Sequence, residues 1–106
     1  MADDNHIAQL RRGLAHWNAW RDENVNIRPD LSGAKLGEAS LGGANLKWAN
    51  LSNADLTRTD LGNADLGNAD LILAILSGAN LSGAKLNEAM LTGANLGSAN
   101  LSGGGT

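Results

Sequence analysis

The chain has 106 residues, of which 18% are charged, and it carries a net charge of −3 and no cysteine. This length supports a single domain, and the lack of cysteine excludes a disulfide framework and a thiolate metal site. Acidic and basic residues are mixed along the chain, so the sequence shows neither the basic patch of a nucleic-acid-binding protein nor a strongly acidic surface. No stretch approaches the roughly 18 apolar residues of a transmembrane helix, and the first residues lack the apolar core of a signal peptide. We therefore expect a cytoplasmic protein with neither a membrane nor a direct nucleic-acid partner.

The first predicted region, residues 1–30, is a capping helix followed by a lead-in segment. Within residues 3–24, apolar residues recur at steps of three and four, which predicts an amphipathic helix. These residues are Ile7, Leu10, Leu14, Trp17 and Trp20. An aspartate or asparagine at positions 3 to 5 can cap the start of this helix, and Asn24 can end it.

The second region, residues 31–101, repeats a leucine at every fifth position, fifteen times without exception. From position 34 to 99, the residue two before each leucine is alanine in thirteen of fourteen cases, with Thr59 the exception. A five-residue spacing spreads leucines around all faces of an α-helix and alternates them across a straight strand, so neither element gains a buried face. Short extended pieces separated by turns keep every leucine on one axis, which predicts an all-β solenoid. Residues 102–106 are expected to form a flexible glycine-rich tail.

The five-residue units resemble the motif of the pentapeptide-repeat family, which is Ala-(Asp/Asn)-Leu followed by two variable residues. ADLGN at 64–68 and ANLSG at 79–83 match it directly. The resemblance implies a right-handed quadrilateral β-helix of about three and a half coils, with 20 residues per coil and with leucine and alanine inside. The segment at 17–34 is similar to the lead-in of some bacterial members. We accordingly predict an N-terminal α-helical cap in which Leu14, Trp17 and Trp20 cover the first coil.

A coil of 20 residues places each residue beside the one twenty positions later, and this register predicts several contacts. The expected ion pairs are Lys35 with Asp55, Glu38 with Arg58, and Asp65 with Lys85. The hydroxyl of Thr59 must find a backbone carbonyl, because an unpaired buried hydroxyl is costly. Since the acids lie beside bases, and His6 and His16 have no partners at metal-ligand spacing, we expect no catalytic residue, cofactor or metal. The protein is not predicted to be an enzyme.

The same register gathers apolar residues on the outside of one side of the coil, the side that carries Leu71. Ile72 and Leu73 lie at the far corner of this side, Trp48 and Met90 flank its near corner, and Ile75 begins the next side. Contiguous exposed apolar surface often marks a partner site, which predicts an interaction face for a protein of unknown identity. The alternative is neutral drift on a tolerant surface.

These features favour a non-catalytic scaffold or protein-interaction module. The alternative implied by the family resemblance is a DNA mimic that binds and protects DNA gyrase. The short chain, the weak negative charge and the bases set among the acids disfavour the mimic. Ice binding, which needs a flat row of threonines, ranks last because one outward column reads Ser52, Ile72 and Thr92.

The last coil has its own predicted partner. Its interior is lined by Leu86, Leu91, Leu96 and Leu101. Exposed strand edges recruit other edges, and the helix blocks the opposite end of the solenoid. We therefore expect a homodimer through the last coil, with a frayed end or a longer parent protein as the alternatives.

Overall fold

A computed structural model describes residues 2–104. Two short helices precede the coil: α1 spans Asp4–Arg11 and α2 spans Leu14–Glu23. The carboxylate of Asp3 accepts two backbone N–H groups from the first turn of α1, so one of the predicted capping residues occupies the cap position. Asn24 follows α2 as its C-terminal cap, so the helix stops where predicted.

The helical region consists of two helices and not of the single continuous helix predicted. The break lies at Gly13, whose φ of +107° lies outside helical geometry and favours glycine. Because of this break, α1 folds back and contacts α2. The side chains of Gln9 and His16 form a hydrogen bond, and the ring of His6 lies 5.3 Å from the ring of Trp20.

Residues 31–104 repeat one five-residue turn. In each unit the N–H of alanine donates to the C=O of the leucine three residues earlier, as in Ala64 to Leu61 at 3.0 Å. The residue before this alanine has a positive φ, as in type II turns, which explains the frequent glycine and asparagine there. The aspartate or asparagine before leucine accepts the N–H two residues later, as Asp65 does from Gly67 at 3.0 Å. The small polar residues of the repeat thus form its corners.

Successive coils stack with a period of 20 residues. Eleven parallel bridges in the described residues join each outward residue to the one twenty positions later, from Asp30 with Asn50 to Asn80 with Asn100. The predicted register is therefore confirmed. Only three residues lie between successive turns, so each side of a coil pairs with the side stacked on it through a single bridge. The described residues therefore contain isolated bridges instead of continuous strands.

Leucine and alanine fill the inside of the coils. The leucines from Leu46 to Leu81 are at most 1% exposed. Thr59 is fully buried, and its hydroxyl donates to the C=O of Leu36 at 2.8 Å, which confirms the predicted carbonyl partner. In the last coil the leucines predicted as a dimer edge are more open: Leu86, Leu91 and Leu96 are half-buried and Leu101 is 46% exposed.

The Thr59 hydroxyl allows a direct test of how much this internal hydrogen bond contributes. We expect Thr59→Val to change the free energy of unfolding by less than about 1 kcal/mol, because valine keeps the shape and removes the buried donor itself. The C=O of Leu36 also keeps the N–H of Ala39, at 3.1 Å, as a donor. Urea unfolding of the two proteins measures the difference. A loss above about 2 kcal/mol would show that the hydroxyl holds the coil together.

Candidate interaction surface

One side of the coil, here called the Asp70 face, combines the exposed apolar residues with an ion pair. Its outward residues form a stacked column of Asp30, Asn50, Asp70 and Met90. The turn containing Trp48 forms one corner of this side, and the turn containing Leu73 forms the other. The residues on these corners give the face two apolar ends.

The first apolar end is the Leu73 patch. It consists of Leu73 on the corner and Met90 on this side, together with Ile75, which lies just beyond the corner on the neighbouring side. They are 55%, 47% and 42% exposed, in that order. The side chain of Leu73 leans over Gly93 in the next coil, in a space that a Cβ at position 93 would occupy. Ile72 was predicted to be exposed with them, but its side chain is half-buried. Its N–H donates to Oδ1 of Asp70 at 2.9 Å.

The second apolar end is the Trp48 patch. It consists of Val25, Ile27 and Trp48, which are 74%, 38% and 55% exposed. Together with Arg28 they border one shallow, open pocket. Sequence reasoning found Trp48 but missed the two lead-in residues, so the cluster on the coil is not the only exposed apolar surface. The available signal was a pair of β-branched apolar residues in the otherwise polar segment NVNIRPD.

An ion pair lies between the two patches. Nε of Arg28 donates to the C=O of Trp48 at 2.7 Å, and its Nη2 lies 4.0 Å from Oδ2 of Asp70. Asp70 in turn bridges Met90 in the next coil. Arg28 is thus attached to the Trp48 patch, and Asp70 borders the Leu73 patch.

The apolar residues on the coil stand where the turn itself favours other residues. Trp48 and Leu73 have φ of 63° and 61°, a left-handed conformation that costs a bulky side chain roughly 1 kcal/mol or more. Ile75 and Met90 stand at the repeat position where most units have an aspartate or asparagine that accepts the N–H of the turn. Each of these four apolar residues is exposed at a position where another residue type would make the turn more stable.

Next to the Trp48 patch, α2 covers the edge of the first coil. Trp17 is fully buried, and its Nε1 donates to the C=O of Asn45 at 2.9 Å. Arg21 is 5% exposed and donates from Nη1 to Asn45 and from Nη2 to the C=O of Lys47, both at 2.8 Å. Burial lowers the pKa of Arg21, although the charge of Asp65 acts to raise it. These donors supply hydrogen bonds that a preceding coil would otherwise make.

Asn18 completes this covering of the coil edge. Its side chain accepts the N–H of Asn45 at 2.8 Å and donates to the C=O of Gly43 at 3.2 Å. Of the other predicted cap residues, Leu14 and Trp20 are half-buried. Sequence reasoning missed Asn18 and Arg21, although the four-residue spacing of Trp17 and Arg21 places both on one helix face.

The charged residues of the coil form one of the three ion pairs that the register predicts. Glu38 and Arg58 form one predicted ion pair, at 3.6 Å, with both side chains exposed. The other two predicted pairs, Lys35 with Asp55 and Asp65 with Lys85, are bridged across coils but lie beyond 4 Å in the described residues. Hydrogen bonds from Thr57, helped by the charge of Lys35, hold the pKa of Asp55 below its usual value. Among residues 2–104, no three histidine or acidic side chains are grouped to hold a metal ion.

Stacked five-residue turns around a leucine interior define a β-helical repeat protein. The family model for pentapeptide repeats matches residues 30–68 and 64–103, with eight copies of its unit. The chain belongs to the pentapeptide-repeat family, which confirms the resemblance found in the sequence.

Solved structures of other family members are similar to this chain. A pentapeptide repeat protein from the Arabidopsis thaliana thylakoid lumen is 37% identical, with a TM-score of 0.70 over 71% of this chain and 52% of that one. HetL, involved in heterocyst differentiation regulation in the cyanobacterium Nostoc sp. PCC 7120, is 36% identical, with a TM-score of 0.53 over 72% of this chain and 42% of that one. The chain thus spans about half the length of these relatives.

Two further comparisons bear on function and location. A search of curated proteins found no significant match. Neither helix in the described residues is long and apolar enough to cross a membrane. Because one relative comes from the thylakoid lumen, the cytoplasmic location stays a prediction.

Proposed function

We propose that this chain is a non-catalytic repeat scaffold that binds a protein through the Asp70 face. The observation that carries the proposal is the placement of Trp48, Leu73, Ile75 and Met90. Each is at least 42% exposed; Trp48 and Leu73 occupy left-handed turn positions that favour glycine or asparagine, and Ile75 and Met90 stand where aspartate or asparagine would accept the N–H of the turn. Residues that break local rules without a packing gain in the folded chain are expected at functional sites.

The DNA-mimic alternative gains no support from the charges on the coil. A mimic of duplex DNA needs continuous rows of carboxylates, whereas here Arg58 lies against Glu38 and Arg28 lies near Asp70. The net charge of −3 is also small for this role. The scaffold function therefore ranks first.

Capture from a lysate of the source organism tests the proposal. We expect wild-type chain to retain a protein that a Trp48→Lys/Leu73→Lys variant does not retain. Both side chains are exposed, so a charge there opposes docking while the interior stays intact.

Asn63→Lys is the matched control for this experiment. Asn63 has the same turn position and a φ of 58°, but it lies on the corner opposite that of Leu73. It should capture the same protein as the wild type. Equal capture by the control and the double variant would remove the Asp70 face from the proposal.

A further inference from the structure

We infer that the occupant of the Asp70 face is a second copy of this chain. The inference rests on the proposed function, since both use the same face. It follows from the arrangement of the face, which carries a separate apolar patch at each end and an ion pair between them. A face of this kind is complementary to itself.

The geometry of a twofold contact shows this complementarity. Asp70 lies beside Met90 and three residues before Leu73, whereas Arg28 is bonded to Trp48. A twofold axis in the plane of the face, midway between the patches, brings the Trp48 patch of each copy onto the Leu73 patch of the other. The same operation sets Arg28 of each copy opposite Asp70 of the other. Both apolar patches are then covered, and both charges keep an opposite partner.

The residue types on the Asp70 face suit a contact between two copies. Tryptophan and methionine are enriched at the apolar centre of protein–protein interfaces, and arginine often accompanies them. The backbone of the face is already fixed by the coil hydrogen bonds, which reduces the entropy lost on association.

Reversing the charges of the ion pair tests the contact between copies. Lysine already stands at the repeat position of Asp70 in Lys35 and Lys85, so Asp70→Lys fits the coil. Arg28 has a half-exposed side chain and accepts Arg28→Glu without burying a new charge. In either variant alone, a homodimer would bring like charges together, and we expect its dissociation constant to rise about tenfold or more. Mixing the two variants restores both opposite-charge contacts and should restore a dimer.

Light scattering at tens of micromolar protein measures the molar mass of the wild type, of each variant and of the mixture. Thermal melting confirms that each variant is folded. The inference predicts twice the monomer mass of 10.9 kDa for the wild type and for the mixture, and a lower mass for each variant alone. A double variant carrying both substitutions should again form a dimer. A wild type of 10.9 kDa at every concentration overturns the inference but leaves the proposed function, which capture of a different protein through Trp48 and Leu73 would still support.

Leu96→Asp separates this dimer from the one predicted at the last coil. Leu96 lies inside that coil and is half-buried. Loss of the dimer in Leu96→Asp, with full dimer in both single charge variants, would overturn the inference and favour the last coil. The Asp70 face predicts the opposite pattern.

Discussion

Leu66→Ala is expected to lower the free energy of unfolding by about 2 to 5 kcal/mol, near the upper end of that range. Leu66 is fully buried in the second coil. Its backbone N–H donates to the C=O of Lys85 at 2.8 Å, and its C=O accepts the N–H of Ala69 at 3.0 Å. The backbone on both sides of Leu66 is therefore fixed by hydrogen bonds. A coil held in this way cannot collapse into the space that the side chain leaves, and the cavity persists. Urea unfolding gives the loss directly.

Asn87→Ala is the matched control for this prediction. Asn87 is exposed at a corner of the following coil, so its substitution should cost less than about 0.5 kcal/mol. Asn63, also exposed, is a poorer choice because its φ of 58° favours asparagine over alanine. Similar losses for Leu66→Ala and Asn87→Ala would contradict the inward assignment of the repeated leucines.

The repeating part of the fold could be predicted from the sequence because one local rule is applied fifteen times. Each unit has the same turn, so the leucine period alone sets the 20-residue register once the number of sides is known. Even the exception at Thr59 was predictable, since a buried hydroxyl needs an acceptor and Leu36 in the preceding coil supplies one. The spacing alone does not give the number of sides, which came from the family resemblance.

The N-terminal region was less predictable because no repeat constrains it. The apolar stripe from Ile7 to Trp20 continues across Gly13, so the pattern hides the break that glycine introduces. The role of Arg21 depends on the carbonyl groups of Asn45 and Lys47, which lie more than twenty residues away in the sequence. Helical periodicity shows which face is buried and cannot show what that face meets.

For the ion pairs as well, the sequence predicted which residues stack but not which stacked charges meet. Glu38 and Arg58 meet because both are long side chains on stacked corners. Asp65 and Lys85 are equally well stacked, but their charged groups lie more than 4 Å apart. The register was predictable for both pairs, whereas the side-chain conformations that decide which pair forms were not.

Trp17→Ala is expected to lower the free energy of unfolding by about 3 to 5 kcal/mol. Trp17 is fully buried, its ring lies 5.2 Å from that of Trp20, and the guanidinium of Arg21 lies 5.9 Å from its centre. Removing the indole opens a cavity between α2 and the first coil. It also removes the aromatic ring that contacts the buried guanidinium of Arg21. The C=O of Asn45 keeps Arg21 as a donor, so the loss comes from packing and from the less protected charge.

Trp48→Asn is expected to have the opposite effect on stability from Trp17→Ala. Trp48 is 55% exposed with a φ of 63°, which asparagine adopts at lower cost, so this change should leave stability unaltered or raise it by up to about 1 kcal/mol. Urea unfolding of both variants tests the pair, and fluorescence provides a second measurement. Loss of Trp17 should remove a blue-shifted emission component, whereas loss of Trp48 should remove a solvent-like one. If Trp17→Ala costs no more than Trp48→Asn, or removes only solvent-like emission, α2 does not cover the first coil.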